Sequence, residues 1–379
     1  MSSRRIRLGE RVLAGMPQRA LAHLSTVGGA IREDCPAWPA PDASCPHVRP
    51  VLISHHAEAC AGKPGADRMQ FMGYAVVIGE ALVDLLDSEC DGQPVFRQAI
   101  GGAPFNVAVG VARLGGEVSF VGSVGDDPLG DRILAFLAGA GVDGHAVVRA
   151  PVATTLAVAT FAGAEPEFRF YGSPPSYSML TATPLDLVAG AAVLYCGSIV
   201  LLHPGFRETA LAAWSAAQGL RVFDPNVRPT LLSSPSDVDG LRATVEEFCA
   251  TADLVKLSAA DAATLYPGLS LSSVAGDLLS GGAGAVVVTQ GAAGALVAAG
   301  DARAEVPAPV VAAVDATGAG DSVMAALIAG LLSDGLPLSI EGWSSRVWYA
   351  LQVAGLVCER VGGAVAMPTR AEVAARFAG

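Results

Sequence analysis

Lysine is nearly missing from this chain. Of 24 basic side chains only Lys63 and Lys256 are lysines. Neither stands in GxxxxGK[ST], which excludes a Walker-type phosphate loop. Positive charge is short as well. A net charge of −12 argues against nucleic acid or an anionic membrane surface as a partner. No uninterrupted apolar run reaches about 20 residues, so no transmembrane helix is expected. The seven cysteines are scattered without the spacing of a disulfide framework, and free thiols in a cytoplasmic setting are the expectation. No GxGxxG follows the first candidate strand, which speaks against a dinucleotide-binding oxidoreductase. Glycine and apolar residues, in contrast, are plentiful. With 52% hydrophobic residues and 44 glycines, the chain suits an α/β protein with tight turns and close helix–sheet packing. Its 379 residues suffice for one large or two ordinary domains.

Residues 1–70 differ from the rest. They carry nine basic and six acidic side chains, and from 35 to 65 they show no helical or strand period. Cys35, Cys45, Cys60, His47, His55 and His56 lie here, but C-x9-C-x-H-x7-H-H-x3-C matches no zinc-ligand pattern. No apolar core or cleavage site of a signal peptide stands out. The expectation is a disordered extension, or a start placed too far upstream, with Met69 and Met72 just before the first strand.

The chain is organised around residues 314–332, VDATGAGDSVMAALIAGLL. Gly318, Ala319 and Gly320 let backbone N–H groups face open space. The apolar run after them has helical spacing, with no breaker before Gly330. A helix leaves its first N–H groups unpaired and is partially positive at that end. The result is an anion hole, suited to a phosphoryl group. Asp321 falls in the first turn of the same helix. A carboxylate there is badly placed to bind phosphate but well placed to take a proton from a hydroxyl attacking phosphorus.

DATGAGDSV resembles the C-terminal signature of the ribokinase-like (PfkB) family of carbohydrate kinases, D-T-x-G-A-G-D-x-F, with mild departures at Ala316 and Val323. GGAPFNVAVGVARLGG, from Gly101, resembles the family's N-terminal signature in its fructokinase-like form, and DPNVRP, from Asp224, is also similar to fructokinases. The resemblance spans about residues 76–368. It implies an α/β fold, a mostly parallel sheet sandwiched by helices, with a small β-sheet lid from about 87–100 and 154–181. Apolar strands alternating with helices from residue 192 onward agree with that fold. Short edge strands are expected within 87–100, and helices from 107 and from 349.

The implied reaction is ATP-dependent phosphorylation of a sugar hydroxyl with Mg²⁺. Asp321 is then the base, and Gly318, Ala319 and Gly320 supply oxyanion donors. Asp84, Gly101, Gly102 and Asn106 hold the sugar. Thr289, Gly291, Gly294 and Gln352 line the nucleotide, and Asn226 and Arg228 face phosphate. Asp261, in the place of the family's N-x-x-E acid, reaches Mg²⁺ through water. Asp315 orders the turn or a nearby monovalent cation such as K⁺. A homodimer through the lid is a further expectation from the family. Fructokinase-like members carry an Arg after F-x-F-Y and an Ala-Asp pair soon after; here Gly172 and Ser176-Tyr177 stand instead. Tyr177 offers a ring to stack on a substrate. The substrate therefore stays open between fructose, a nucleoside and a 2-keto-3-deoxy sugar acid. A sugar- or nucleotide-binding regulatory pseudokinase is the non-enzyme alternative, and the intact Asp321 and GAG turn argue against it.

Overall fold

The computed structural model describes residues 73–161 and 166–377. The extension and its Cys/His set lie outside the described residues. The chain opens with β1 (Tyr74–Ile78), then β2 (Leu82–Cys90), β3 (Gln93–Gly101), α1 (Ala103–Arg113) and β4 (Glu117–Gly125). Next come α2 (Pro128–Ala140), β5 (Val147–Ala150), β6 (Leu156–Phe161) and β7 (Pro166–Tyr171). Strand and helix then alternate through α3 (Leu185–Ala189), β8 (Val193–Gly197), α4 (Pro204–Ala216), β9 (Leu220–Asp224), α5 (Pro235–Cys249) and β10 (Leu254–Ser258). The last third holds α6 (Ala259–Leu265), α7 (Leu271–Ser280), β11 (Ala285–Thr289), β12 (Ala295–Ala299), β13 (Ala302–Val306), α8 (Ala319–Asp334), α9 (Ile340–Cys358) and α10 (Arg370–Phe377).

Nine strands form the main sheet in the order β13-β12-β11-β10-β9-β8-β1-β4-β5. The pairs from β5 across to β11 are parallel, and β12 and β13 close one edge antiparallel. Continuous apolar strands make sense because both faces are covered. Successive side chains of a strand point to opposite faces. Ala75 and Val77 of β1 accordingly join the core that α1, α8 and α9 cover. Val76 and Ile78 join the opposite core, under α4, α5 and α7.

The smaller sheet has the order β3-β2-β6-β7. β2 pairs with β3 antiparallel over its whole length and with β6 in parallel. These are not the short edge strands expected within 87–100: each of β2 and β3 has nine residues, and β2 begins at Leu82. Asp91 and Gly92, both at positive φ, make the two-residue turn whose twist matches a hairpin.

Two helices also differ from the expectation. α8 passes through Gly330 to Asp334, and that glycine makes room for Arg346 of α9, whose Nε would lie 3.0 Å from a Cβ there. Buried apolar contact on nearly all sides of α8 outweighs one glycine's entropy cost. α9 starts at Ile340, capped by the Ser339 side chain, well before residue 349. Among the described residues the four cysteines are free, and no helix is long and apolar enough to cross a membrane.

Candidate active site

The loops after β1, β8, β9 and β10 all leave the same edge of the main sheet, the C-terminal edge of its parallel strands. That is where open α/β sheets gather ligand contacts. The N-terminus of α8 points into this edge. Gly318 caps the helix at φ 79°, ψ 0°, and Asp321 is its third residue. Ser322 N–H donates to Gly318 O (2.8 Å), so the three residues between them have no partner within the helix. Ala319 N–H is nonetheless taken, by Ala316 O at 3.1 Å. The expected donor set of the turn is thereby reduced to Gly318 and Gly320.

Asp321 is buried and held from two sides. Asn106 Nδ2 of α1 donates to its Oδ2 at 2.8 Å, and Asn226 Nδ2 donates to its Oδ1 at 3.1 Å. The first contact exists because α1 and α8 cross closely: a Cβ on Gly110 would stand 2.5 Å from Ala325 Cβ. The second needs Asn226 at φ 38°, a left-handed conformation that Asn tolerates better than most side chains. Burial pushes the Asp321 carboxyl up, while Asn106, Lys256, Arg228 and Asn226 pull it back. Arg228 Nη1 donates to Asn226 Oδ1 (2.5 Å) and to Val227 O (3.2 Å).

Asp84 of β2 faces Gly101 at the end of β3; a Cβ there would overlap Asp84 Oδ2. At Gly102 a Cβ would stand 2.5 Å from Glu80 O, with φ at 113°. Burial pushes Asp84 up to about 7 against Arg228, and Asp321 adds to the rise. Asn106 Oδ1 is buried without a protein partner. These groups share one small region around Asp321.

Of the other predicted residues, Asp261 bonds to the segment that carries Asn226 and Arg228, while the rest are placed elsewhere. Thr289, Gly291 and Gly294 form the turn between β11 and β12; Gly294 has φ 99°, and Val306 O leaves no room for a Cβ there. Gln352 lies half-buried on α9. Asp261 is bound to its own helix end: Oδ2 accepts Ser258 N–H and Oγ–H (both 2.7 Å), and Oδ1 accepts Val227 N–H at 2.8 Å. It fixes the loop that carries Asn226 and Arg228. Asp315 accepts Thr317 N–H (2.8 Å) and Gly362 N–H (2.9 Å). Burial opposes its charge, but these hydrogen bonds win and hold its carboxyl low.

Three buried groups of the site were missed in the sequence. Lys256 Nζ donates to Asp224 Oδ2 at 2.8 Å, with exposures of 3% and 0%. Glu80 Oε1 accepts Ala103 N–H (3.1 Å) and Ser198 Oγ–H (2.7 Å), while Oε2 has no protein partner. Burial raises Glu80 to about 7. A signal was present for Lys256: an isolated charge inside the apolar strand Leu254–Ser258 needs a buried partner. Nothing local pointed to Asp224 as that partner.

The chain as a whole is similar to known carbohydrate kinases. The model of the pfkB family carbohydrate kinases matches residues 72–370. A fructokinase of Klebsiella pneumoniae is 36% identical over 305 residues, covering 77% of this chain and 95% of that protein. The structure of a fructokinase with bound ATP from Xylella fastidiosa aligns with a TM-score of 0.73 at 29% identity, covering 80% of this chain and 97% of that one. A fructokinase from Vibrio cholerae O395, bound to fructose, ADP and calcium ion, aligns at 0.71 and 30% identity over 80% and 98% of the two chains. This chain belongs to the pfkB family of carbohydrate kinases.

Proposed function

We propose that this sugar kinase transfers the γ-phosphoryl group of ATP to a hydroxyl of fructose or a closely related ketose, with Asp321 as general base. One observation carries the reading: Asp321 is buried beside an open helix N-terminus and held at both oxygens by Asn106 and Asn226. Oriented so, it accepts the hydroxyl proton as the oxygen attacks phosphorus. N–H groups of Gly318 and Gly320 face the charge that develops on the phosphoryl oxygens. Asp84 accepts from sugar hydroxyls, as does the free Oδ1 of Asn106. Gly101 and Gly102 let the sugar approach the backbone. Arg228 faces the phosphates. The turn at Thr289, Gly291 and Gly294 and the α9 face at Gln352 line the nucleotide. The small sheet acts as a lid that keeps water from the phosphoryl group, and it is the surface for a homodimer.

Among the described residues no group of three or more His, Cys, Asp or Glu side chains forms a metal cage. Mg²⁺ needs none, since it keeps waters and is held mainly by substrate phosphates. Asp261 suits contact through water, because both its oxygens already accept protein donors. Bound there, Mg²⁺ supplies charge neutralisation on the phosphates. Asp315, kept ionised, suits a neighbouring monovalent cation such as K⁺.

The sugar remains the finest point. Tyr177 is only 3% exposed and packs edge-on against His203 at 5.6 Å. It has little ring left to stack on a substrate, and Gly172 supplies no charge. Losing one charged hydrogen bond costs about 1.5–3 kcal/mol, roughly 10–150-fold in affinity, so weak fructose turnover is expected. An ATP-consumption screen over fructose, ribose, other ketoses, sugar acids and nucleosides tests this. A wild type that ignores every ketose but turns over a nucleoside replaces the fructose reading. Asp321→Asn tests the base: kcat should fall at least 10²-fold, with ATP affinity little changed. More than about a tenth of wild-type kcat would remove Asp321 from the role.

A further inference from the structure

Lys256 is the only lysine among the described residues, in a chain whose one other lysine is Lys63. Its ammonium is bonded to Asp224 at 2.8 Å. A chain of hydrogen bonds leads on to the base. Asp224 Oδ1 accepts Asn226 N–H at 3.1 Å, and Asn226 Nδ2 donates to Asp321 Oδ1 at 3.1 Å. On its other side Lys256 Nζ lies 3.1 Å from where a Cβ of Gly320 would stand. The ammonium therefore lies directly beneath the turn that opens α8. A compact point charge on a flexible stem fits this place; a planar guanidinium with five donors does not.

A buried ion pair is weak evidence for stability, because an apolar pair of similar volume often serves as well. Another reason is needed for this one. We propose that Lys256, locked to Asp224, is a positioning residue for the phosphoryl-transfer reaction: it keeps the Asp321 carboxylate ionised and adds a positive charge beneath the anion hole. This rests on Asp321 being the base. The groups that face Asp321 are Asn106 of α1, Asp84 of β2, Tyr195 of β8, Asp224 of β9, Asn226 and Arg228 of the following loop, and Lys256 of β10. Of the two cations, Arg228 is only partly buried and is engaged with Asn226 and Val227. Lys256 is sealed from solvent and from salt, so its field reaches Asp321 less screened. Burial opposes the ammonium charge, but Asp224, Asp261 and Asp321 outweigh it and leave its pKa raised.

The test uses the full chain with Lys256→Met, Asp224→Asn and the double variant, each checked for folding by circular dichroism. The readouts are kcat, both KM values and the pH profile of kcat/KM, whose acid limb reports the free base. Lys256→Met should move the acid limb up by about one pH unit, a tenfold loss of activity below it. Asp224→Asn leaves the ammonium without its counter-ion and should move the limb down. The double variant leaves no charge unpaired; it should fold, keep KM for ATP within about threefold and lose about tenfold in kcat. A double variant with wild-type kcat, or two single variants whose limbs move the same way, overturns the inference and leaves the pair purely structural. Should Lys256→Met fail to fold, the double variant and Asp224→Asn carry the test. Asp321→Asn run alongside separates the two readings. If it keeps activity, the base assignment fails; if it loses activity while the pair variants match wild type, only the role of Lys256 fails.

Discussion

Gly318→Ala puts the geometry of the turn under test. Gly318 holds φ 79°, ψ 0°, a conformation that costs an L side chain about 1–2 kcal/mol. Its Cβ would stand 2.9 Å from Gly363 Cα and 3.4 Å from Gly363 C. Those are backbone atoms and cannot rotate aside. Overpacking of this kind costs about 1–3 kcal/mol, so a turn that stays in place loses about 2–5 kcal/mol. Relief comes only by moving the turn away from Gly363, and that reaches Asp321, the proposed base. Gly363 lies against Asn106, where a Cβ would meet Nδ2 at 3.0 Å, and Nδ2 is the atom bonded to Asp321. A shift of about 1 Å in a reacting group costs about 10²-fold in rate. Urea unfolding and a coupled ATP assay measure the two effects. Gly139→Ala is the control: it sits exposed on α2 with open space around its Cβ and should gain up to about 1 kcal/mol with kcat unchanged. A Gly318→Ala variant within about 0.5 kcal/mol of wild type and with most of its kcat would refute the argument.

Asp84→Asn should raise KM for the sugar about 10–150-fold with KM for ATP within error, and equal losses for both substrates would place Asp84 outside the sugar site. Burial holds Glu80 and Asp84 at about 7 in the folded chain, while unfolding returns them to about 4. The folded state then binds more protons between those values, so their stabilisation is complete below about pH 4 and is lost as pH rises through 7. The free energy of urea unfolding should fall from pH 5 to 7, and Glu80→Gln should flatten that slope; an unchanged slope in the variant rules Glu80 out as its source. A chain beginning at Met72, where the family match begins, should keep wild-type kcat, and loss of activity or solubility would show that residues 1–70 are needed.

The sequence by itself determined the layered α/β class and the position of the glycine turn that opens α8. Both are local properties. Short apolar runs such as Tyr74–Ile78 and Ala285–Thr289 fit strands buried on two faces, and Gly318 marks a left-handed turn because few other residues can occupy it. The lengths of β2 and β3 were legible in principle from Asp91-Gly92, a turn signal that the polar composition around it obscured. Tertiary structure alone decided which side chains meet. Asn106 and Asp321 are 215 residues apart and Asn226 and Asp321 are 95 apart. Their contacts depend on the strand order and on the close crossing of α1 and α8 at Gly110. The same holds for Lys256 with Asp224, whose pairing follows from β9 and β10 being neighbours in the sheet. It holds also for Asp261, whose carboxylate the fold spends on Val227 and its own helix end. A side chain's partner is set by non-local packing, and one segment's pattern carries no record of the strand that will lie beside it.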